Sequence, residues 1–296
     1  MQTLKRVPSG IHGLDRLLEG GFREKTVIVL VGSSGTGKTT FTIQFAMHGL
    51  ERGEQALYVT LEESPDQLIH EAELMGFNLR EHLDKGLFFL HLRGQNFKKM
   101  IEEQLPALVK ARSEFQVPTR VIIDPMTPVI WATPDKLALR ELIGKLFSTV
   151  RQLGVVLATV EEHARPGETT GEDVLLPIYL GDGAIHLEYY PVGGAFNRTL
   201  QILKMRGVHH GEGVYPYIFA RGVGIVVRAA PVDVAAGGNG SHRKVFEDAV
   251  RTAESLNAPP LVIAKIKAMA AQWDYDYSPE EALQIVFDSY GLRRAG

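Results

Sequence analysis

"KTVIVLVGSSGTGKTT", residues 25–40, joins an unbroken β-branched run to a glycine-rich turn and two threonines. A run of Val and Ile without polar alternation is what a strand buried on both faces of a parallel sheet requires. The turn Gly32-Ser33-Ser34-Gly35-Thr36-Gly37-Lys38-Thr39 has the phosphate-binding spacing G-x-x-x-x-G-K-[ST]. Glycines let backbone N–H groups close around phosphates without Cβ clashes, and the following helix presents its positive end. Gly32, Ser33, Ser34, Gly35, Thr36, Gly37, Lys38, Thr39 and Thr40 are therefore the candidate nucleotide-binding residues. Lys38 is expected to reach the β- and γ-phosphates and the Thr39 hydroxyl to hold Mg2+. A chance glycine turn has no reason to fall between a strand and a helix.

Outward from this turn, strands and helices alternate. "QALYVTL" (55–61) reads as a strand, as do "LFFLHL" (87–92), "TRVIID" (119–124) and "GVVLATV" (154–160). Helical spacing covers 97–113 and 135–153. The helix after the phosphate loop is expected to close at Gly53. Another runs from Ser64 to about Met75, with Ser64 as N-cap, Pro65 in the first turn, Gln67 as capping-box partner and Gly76 as the stop. The alternation predicts an α/β fold, a mostly parallel sheet with helices on both faces. Then "GAIHLEYY", "RTLQILKM", "GVYPYIF" and "GIVV" follow, short runs divided by glycine turns, which read as an antiparallel extension of one sheet edge.

This core is assigned to residues 1–230. A Gly-rich stretch supplies a linker at 231–242. Residues 243–296, with helical spacing at 243–256, 259–273 and 279–291 and Ser278 as a cap, form a small C-terminal helical appendage.

Composition removes several classes. The 296 residues are 45% hydrophobic with net charge −3, an ordinary globular balance without a strongly basic surface for nucleic acid. No run approaches the ~20 apolar residues of a membrane span, and "MQTLKRVPSG" has no signal-peptide core. Zero cysteines exclude disulfides and thiolate chemistry. A cytoplasmic location without membrane association is the expectation.

Chemistry beyond phosphate binding needs two kinds of carboxylate. One, at the end of a neighbouring strand, holds Mg2+ through water; Asp124, closing "TRVIID", fits. Another orients or deprotonates the attacking water near the γ-phosphate. Glu62 and Glu63 stand side by side where "QALYVTL" ends, and either is the general-base candidate; the plain alternative is a solvated strand end.

Taken in order, "VPSGIHGLDRLLEGGF", the phosphate loop, "ALYVTLEESPDQLI" and "LQILKMRGVHHGEG" resemble the KaiC-like branch of the RecA-type ATPases over roughly residues 4 to 228. The resemblance implies a RecA-like core, ATP and Mg2+ as ligands, and a homo-oligomer, a hexameric ring with ATP between subunits. It implies catalytic use of Glu62 and Glu63. It also implies that Lys204 and Arg206, the Lys-x-Arg of "LQILKMRG", act on the neighbouring subunit's ATP. Their alternation along "LQILKMRG", read as an edge strand, sends both side chains out by one face, and two solvated charges are the plain alternative. His209 and His210 follow them and are candidates for phosphate contact, against the ordinary reading as surface loop residues.

The chain departs from the family pattern at four points. It has one such ATPase domain where KaiC has two. Pro125 follows Asp124 where a serine is usual. Thr159-Val160-Glu161 stands where Thr-Ser-Glu is usual. Ile178-Tyr179 replaces the Ser-Thr pair phosphorylated in KaiC, which leaves autophosphorylation unsupported. A regulatory ATPase acting on an unknown protein partner, through the C-terminal helices, is the leading function. A DNA-binding recombinase-like motor is disfavoured, because "HARPGETTGEDVLL" (163–176) is acidic and lacks an aromatic for stacking. A non-hydrolysing scaffold is disfavoured by the complete set of Lys38, Thr39, Asp124 and the glutamates.

Overall fold

The run at the phosphate loop takes the middle of a nine-stranded sheet. The computed structural model describes residues 5–92, 97–113, 117–162, 172–189, 198–228, 243–271 and 278–292. Strands β1 (Arg6–Val7) and β2 (Phe22–Arg23) form a separate antiparallel pair. The main sheet comprises β3 (Val27–Gly32), β4 (Gln55–Thr60), β5 (Leu87–His91), β6 (Thr119–Asp124), β7 (Val156–Glu161) and β8 (Gly183–Tyr189). It continues through β9 (Arg198–Met205), β10 (Val214–Ala220) and β11 (Gly224–Val227). Its order is β11-β10-β9-β8-β3-β7-β6-β4-β5. The six strands from β8 to β5 are parallel, and β9, β10 and β11 add on antiparallel.

Strand alternation divides the core. Ile28 and Leu30 face α1 (Lys38–Leu50) and α2 (Pro65–Leu74), packing with Phe41, Phe45, Leu68 and Ile69. Val27, Val29 and Val31 face the opposite layer. That layer holds α3 (Phe97–Lys99) and α4 (Leu105–Ser113), joined by the π-helical stretch Met100–Gln104, then α5 (Thr127–Trp131), α6 (Lys136–Val150) and α7 (Glu172–Leu180). Both faces of the parallel strands are thus covered, which is why the sequence shows unbroken apolar runs.

Four details depart from the reading above. The strand bearing Lys204, β9, lies between β8 and β10, and β11 is the edge. The loop reading of 163–176 gives way to α7 from residue 172 onward, and 163–171 lie outside the described residues. Ser64 does cap α2, its Oγ accepting from Gln67 N–H at 3.3 Å, but the Gln67 side chain donates forward to Glu71. Helix α1 stops at Leu50, and Gly53, at φ +78°, completes the turn beyond it.

Helices α8 (Arg243–Ser255), α9 (Pro260–Ala271) and α10 (Pro279–Ser289) share one apolar cluster with Ala220, Val223 and Val226 of the β10–β11 region. Ion pairs Arg228–Glu281, at 3.0 Å, and Arg16–Asp288 cross the same seam. The linker assigned to 231–242 and Trp273 lie outside the described residues, and Trp131 is exposed at the end of α5.

One buried charge fixes α1 against the sheet. Arg120 of β6, 1% exposed, donates Nε to Glu54 at 2.7 Å and Nη1 to the Phe45 carbonyl at 2.9 Å. Gly49 makes room for it, since a Cβ there would stand 2.3 Å from Arg120 Nε. Removing one partner of a buried pair strands the other charge. Glu54→Ala is therefore expected to lower unfolding stability by about 3–5 kcal/mol, while Arg120→Met/Glu54→Leu loses much less; thermal and urea unfolding of the two variants checks the difference.

Candidate functional site

At the end of β3 the chain turns tightly into α1. Gly35 and Gly37 have φ +80° and +88°, the left-handed region that side chains resist. At Gly37 a Cβ would also stand 2.3 Å from the ring of Phe219, and at Gly32 it would stand 2.6 Å from the Leu187 carbonyl. The Thr36 hydroxyl donates to the Ser33 carbonyl at 2.8 Å, and Tyr217 donates its hydroxyl to the Thr36 carbonyl at 2.5 Å. Gly32, Ser33 and Thr36 thus shape the loop from within. Ser34, Gly35, Gly37, Lys38, Thr39 and Thr40 line a cleft of about 270 Å³.

Across the cleft stand Glu62, Glu63, Asp124 and Glu161. These four carboxylates face one basic side chain among the lining residues, Lys38. Its Nζ donates to the carbonyls of Gly32 and Ser33, at 2.8 and 2.9 Å, and lies 4.0 Å from Glu161. Burial pulls the Lys38 pKa down, and Glu161, Asp124 and Glu62 pull it back up.

Asp124 is 6% exposed and held in a cage of hydroxyls. Tyr58 and Thr42 donate to its Oδ2, at 2.6 and 3.3 Å, and Thr159 donates to its Oδ1. Two donors fill Oδ2, whereas Oδ1 keeps a lone pair. The set suits a Mg2+ that reaches Asp124 through a water, with the Thr39 hydroxyl nearby on the cleft wall. No group of three or more His, Cys, Asp or Glu able to hold a metal occurs among the described residues. A cation here would need the nucleotide's own phosphates as further ligands.

The two adjacent glutamates differ. Glu62 is exposed at the rim. Glu63 is half-buried, its carbonyl fixed by the Thr60 hydroxyl at 2.6 Å, and its Oε2 has no hydrogen-bond partner. Burial pushes the Glu63 carboxyl up to about 7, helped by the charges of Glu71, Asp124 and Glu62.

Beyond Thr40 the cleft continues into an apolar pocket of about 400 Å³ walled by Leu74, Met75, Phe219 and Ala220, with Arg221 at its edge. Nothing in the local pattern of the sequence pointed to it, because Leu74 and Phe219 lie on elements far apart in the chain. The hydroxyl cage was also missed. The signal was present: on β7, Thr159 and Glu161 share a face by the period of two, as Tyr58 and Thr60 do on β4.

Lys204 and Arg206 do not join this cleft. The β-ladder sets Lys204 opposite Ala184, which is opposite Val29, three positions or about 10 Å along the strands from Gly32. Lys204 Nζ donates to the carbonyls of Ile178, Tyr179 and Gly181 at 2.9, 3.3 and 2.7 Å. Arg206 reaches the Tyr179 carbonyl at 3.4 Å. Both therefore sit on the negative C-terminal end of α7. His209 is exposed and His210 lies against the Gly211 carbonyl.

Comparison with known proteins accords with this geometry. The sequence model of the family described as "ATPase: KaiC" matches residues 7–231. A UPF0273 protein of Methanopyrus kandleri is 31% identical over 232 residues, 73% of this chain and 89% of that protein. The circadian clock oscillator protein KaiC of Thermostichus vulcanus is 30% identical over 238 residues, and the match spans 44% of its length. The crystal structure of a KaiC-like protein from Pyrococcus horikoshii OT3 superposes with a TM-score of 0.64 at 28% identity, covering 76% of this chain and 99% of that one.

The raised Glu63 pKa has a measurable sign. The fold holds this proton more tightly than the unfolded chain does, so its contribution to stability is intact below the ordinary value of 4.5 and is lost as pH rises through about 7. Without nucleotide, Glu63→Gln is expected to melt above wild type near pH ~8, the gap closing by pH ~4.5; thermal melts across pH check this.

Proposed function

The chain belongs to the KaiC ATPase family, and we propose that it binds Mg·ATP in this cleft and hydrolyses it within a ring of like subunits, as a regulatory ATPase. The observation that carries the reading is the pairing of the phosphate loop with Glu63, a half-buried carboxyl whose pKa is lifted to about 7. A general base works best when its pKa lies near the working pH. The loop amides and Lys38 hold the β- and γ-phosphates, and the apolar pocket beyond Thr40 takes the base. Glu63 accepts the proton of the attacking water, which leaves oxygen free to bond phosphorus as ADP departs. Glu62 stands at the rim and orients that water. Thr39 and, through a water, Asp124 would hold Mg2+, which would neutralise charge on the phosphates.

Four carboxylates against one lysine leave the cleft short of positive charge for a reaction that builds negative charge on the transferred group. Lys204 and Arg206, too far to serve their own loop, supply it to the adjacent subunit's nucleotide. Residues 243–296 act as a docked appendage that engages a protein partner; the family match ends at 231, before it.

Hydrolysis is expected to fall ~10²–10⁴-fold in Glu63→Gln with ATP binding retained, and less in Glu62→Gln. Lys38→Ala loses nucleotide binding itself. Near-normal turnover in the Glu62→Gln/Glu63→Gln variant rejects the assignment. Mixing Arg206→Ala chains with Glu63→Gln chains is expected to restore turnover at mixed interfaces. Its absence, in assemblies shown by mass to contain both chains, rejects action in trans. Deleting residues from 231 onward is expected to leave a folded, ATP-binding core; insoluble product means the helices complete that core.

A further inference from the structure

Strand β7 ends at Glu161, and Glu162 follows it directly, so that continued alternation sends the two glutamates to opposite faces of the sheet. Glu161 faces the nucleotide cleft beside Lys38. Glu162 turns to the other face, where its Oε2 meets Nε2 of His186 at 2.8 Å. His186 stands on β8 opposite Val31, one residue before the end of β3. The contact from Glu162 to His186 therefore spans β3 at the root of the phosphate loop. Backbone bonds pin the same point, with Glu162 N–H donating to the Gly32 carbonyl at 3.1 Å and Glu161 N–H to the Thr127 hydroxyl at 3.0 Å. Beyond the ring, His186 Nδ1 lies 3.8 Å from Glu188, whose other oxygen accepts from the Thr199 hydroxyl at 3.3 Å.

The surroundings make this polar bridge unusual. The neighbouring positions on this face of β3 and β7 are apolar, Val27, Val29, Val31 and Val160 among them. The His186 and Glu162 side chains are 16% and 12% exposed. A mostly buried ionisable pair contributes little net stability over apolar packing, because desolvation offsets its attraction. What such a pair does supply is one fixed geometry, since either group alone would be left without its partner. Here the geometry fixed is that of the peptide joining Glu162 to Glu161.

We propose that His186 is a positioning residue: by holding Glu162 on the far face of the sheet, it sets Glu161 against Lys38 and the γ-phosphate end of the cleft. This rests on the nucleotide reading above. His186 touches no substrate, and its effect passes through Glu162 to Glu161.

The test compares His186→Leu, which removes the donor, with His186→Gln, whose amide keeps a donor at the same reach. In steady-state ATP hydrolysis, His186→Leu is expected to lower kcat ~10–100-fold, the range for a misplaced group. KM should change less than about twofold, the mark of an interaction lost from the transition state alone, and His186→Gln should restore most of kcat. Adding Glu162→Leu to His186→Leu should cost little more, because the two act as one unit. Hydrogen exchange in nucleotide-free protein gives a readout independent of turnover, with the Glu162 amide exchanging faster in His186→Leu and near wild type in His186→Gln. Unchanged exchange in His186→Leu overturns the inference, as does faster exchange with wild-type kcat. A wild type that binds no Mg·ATP overturns the nucleotide reading instead, and the exchange result then decides the anchor by itself.

Discussion

A phenylalanine ring occupies the space where Gly37 would carry a Cβ, and much of the molecule is arranged around that contact. Phe219 and Tyr217 come from β10 in the antiparallel part of the sheet, so the phosphate loop rests on a strand that follows it by nearly two hundred residues. The first turn of α1 is anchored there. Further along the helix, Gln44 donates to the carbonyls of Gly10 and Ile225 at 2.8 and 3.2 Å and accepts from Ile225 N–H at 2.6 Å. Loop, helix, N-terminal segment and β11 are thereby one packed unit. The C-terminal helices share a cluster with the neighbouring Val226. Close packing transmits small displacements, so any change of loop shape meets those helices through two strands.

Electrostatics gives the cleft its second organising feature. Carboxylates gather around one lysine, and Glu63 among them has its pKa raised, first by burial and then by the charges of Glu71, Asp124 and Glu62. Asp124 is treated differently, its carboxyl held by three hydroxyls at the cleft wall. Two neighbouring carboxylates therefore receive different environments, Glu63 half-buried with an unpartnered oxygen and Asp124 held by hydroxyls. Among the residues lining the cleft, Lys38 alone is basic, against four carboxylates.

Lys204 illustrates how one side chain serves two readings. Within its chain it caps α7 through three carbonyls, satisfying acceptors that a helix end leaves open. That cap also holds the ammonium in a defined place at the surface, on the side of the sheet remote from its own loop. A pre-placed charge costs less entropy to present to a neighbour than a free one.

The sequence by itself determined the parallel core, the phosphate loop and the strand ends that bear carboxylates. Those features are local: buried strands must be apolar throughout, and a phosphate turn needs glycines at fixed offsets. Tertiary structure alone decided which glutamate is buried. Glu62 and Glu63 are equivalent in composition, and only the packing of α2 and the nearness of Asp124 separate them. It likewise decided that Tyr58, Thr42 and Thr159 share one carboxylate, that Phe219 floors the loop, and that β9 is an inner strand. It brought His186 to Glu162 across β3. Each of these depends on contacts between residues distant along the chain, fixed by strand order and register, and a reading of local pattern has no access to either.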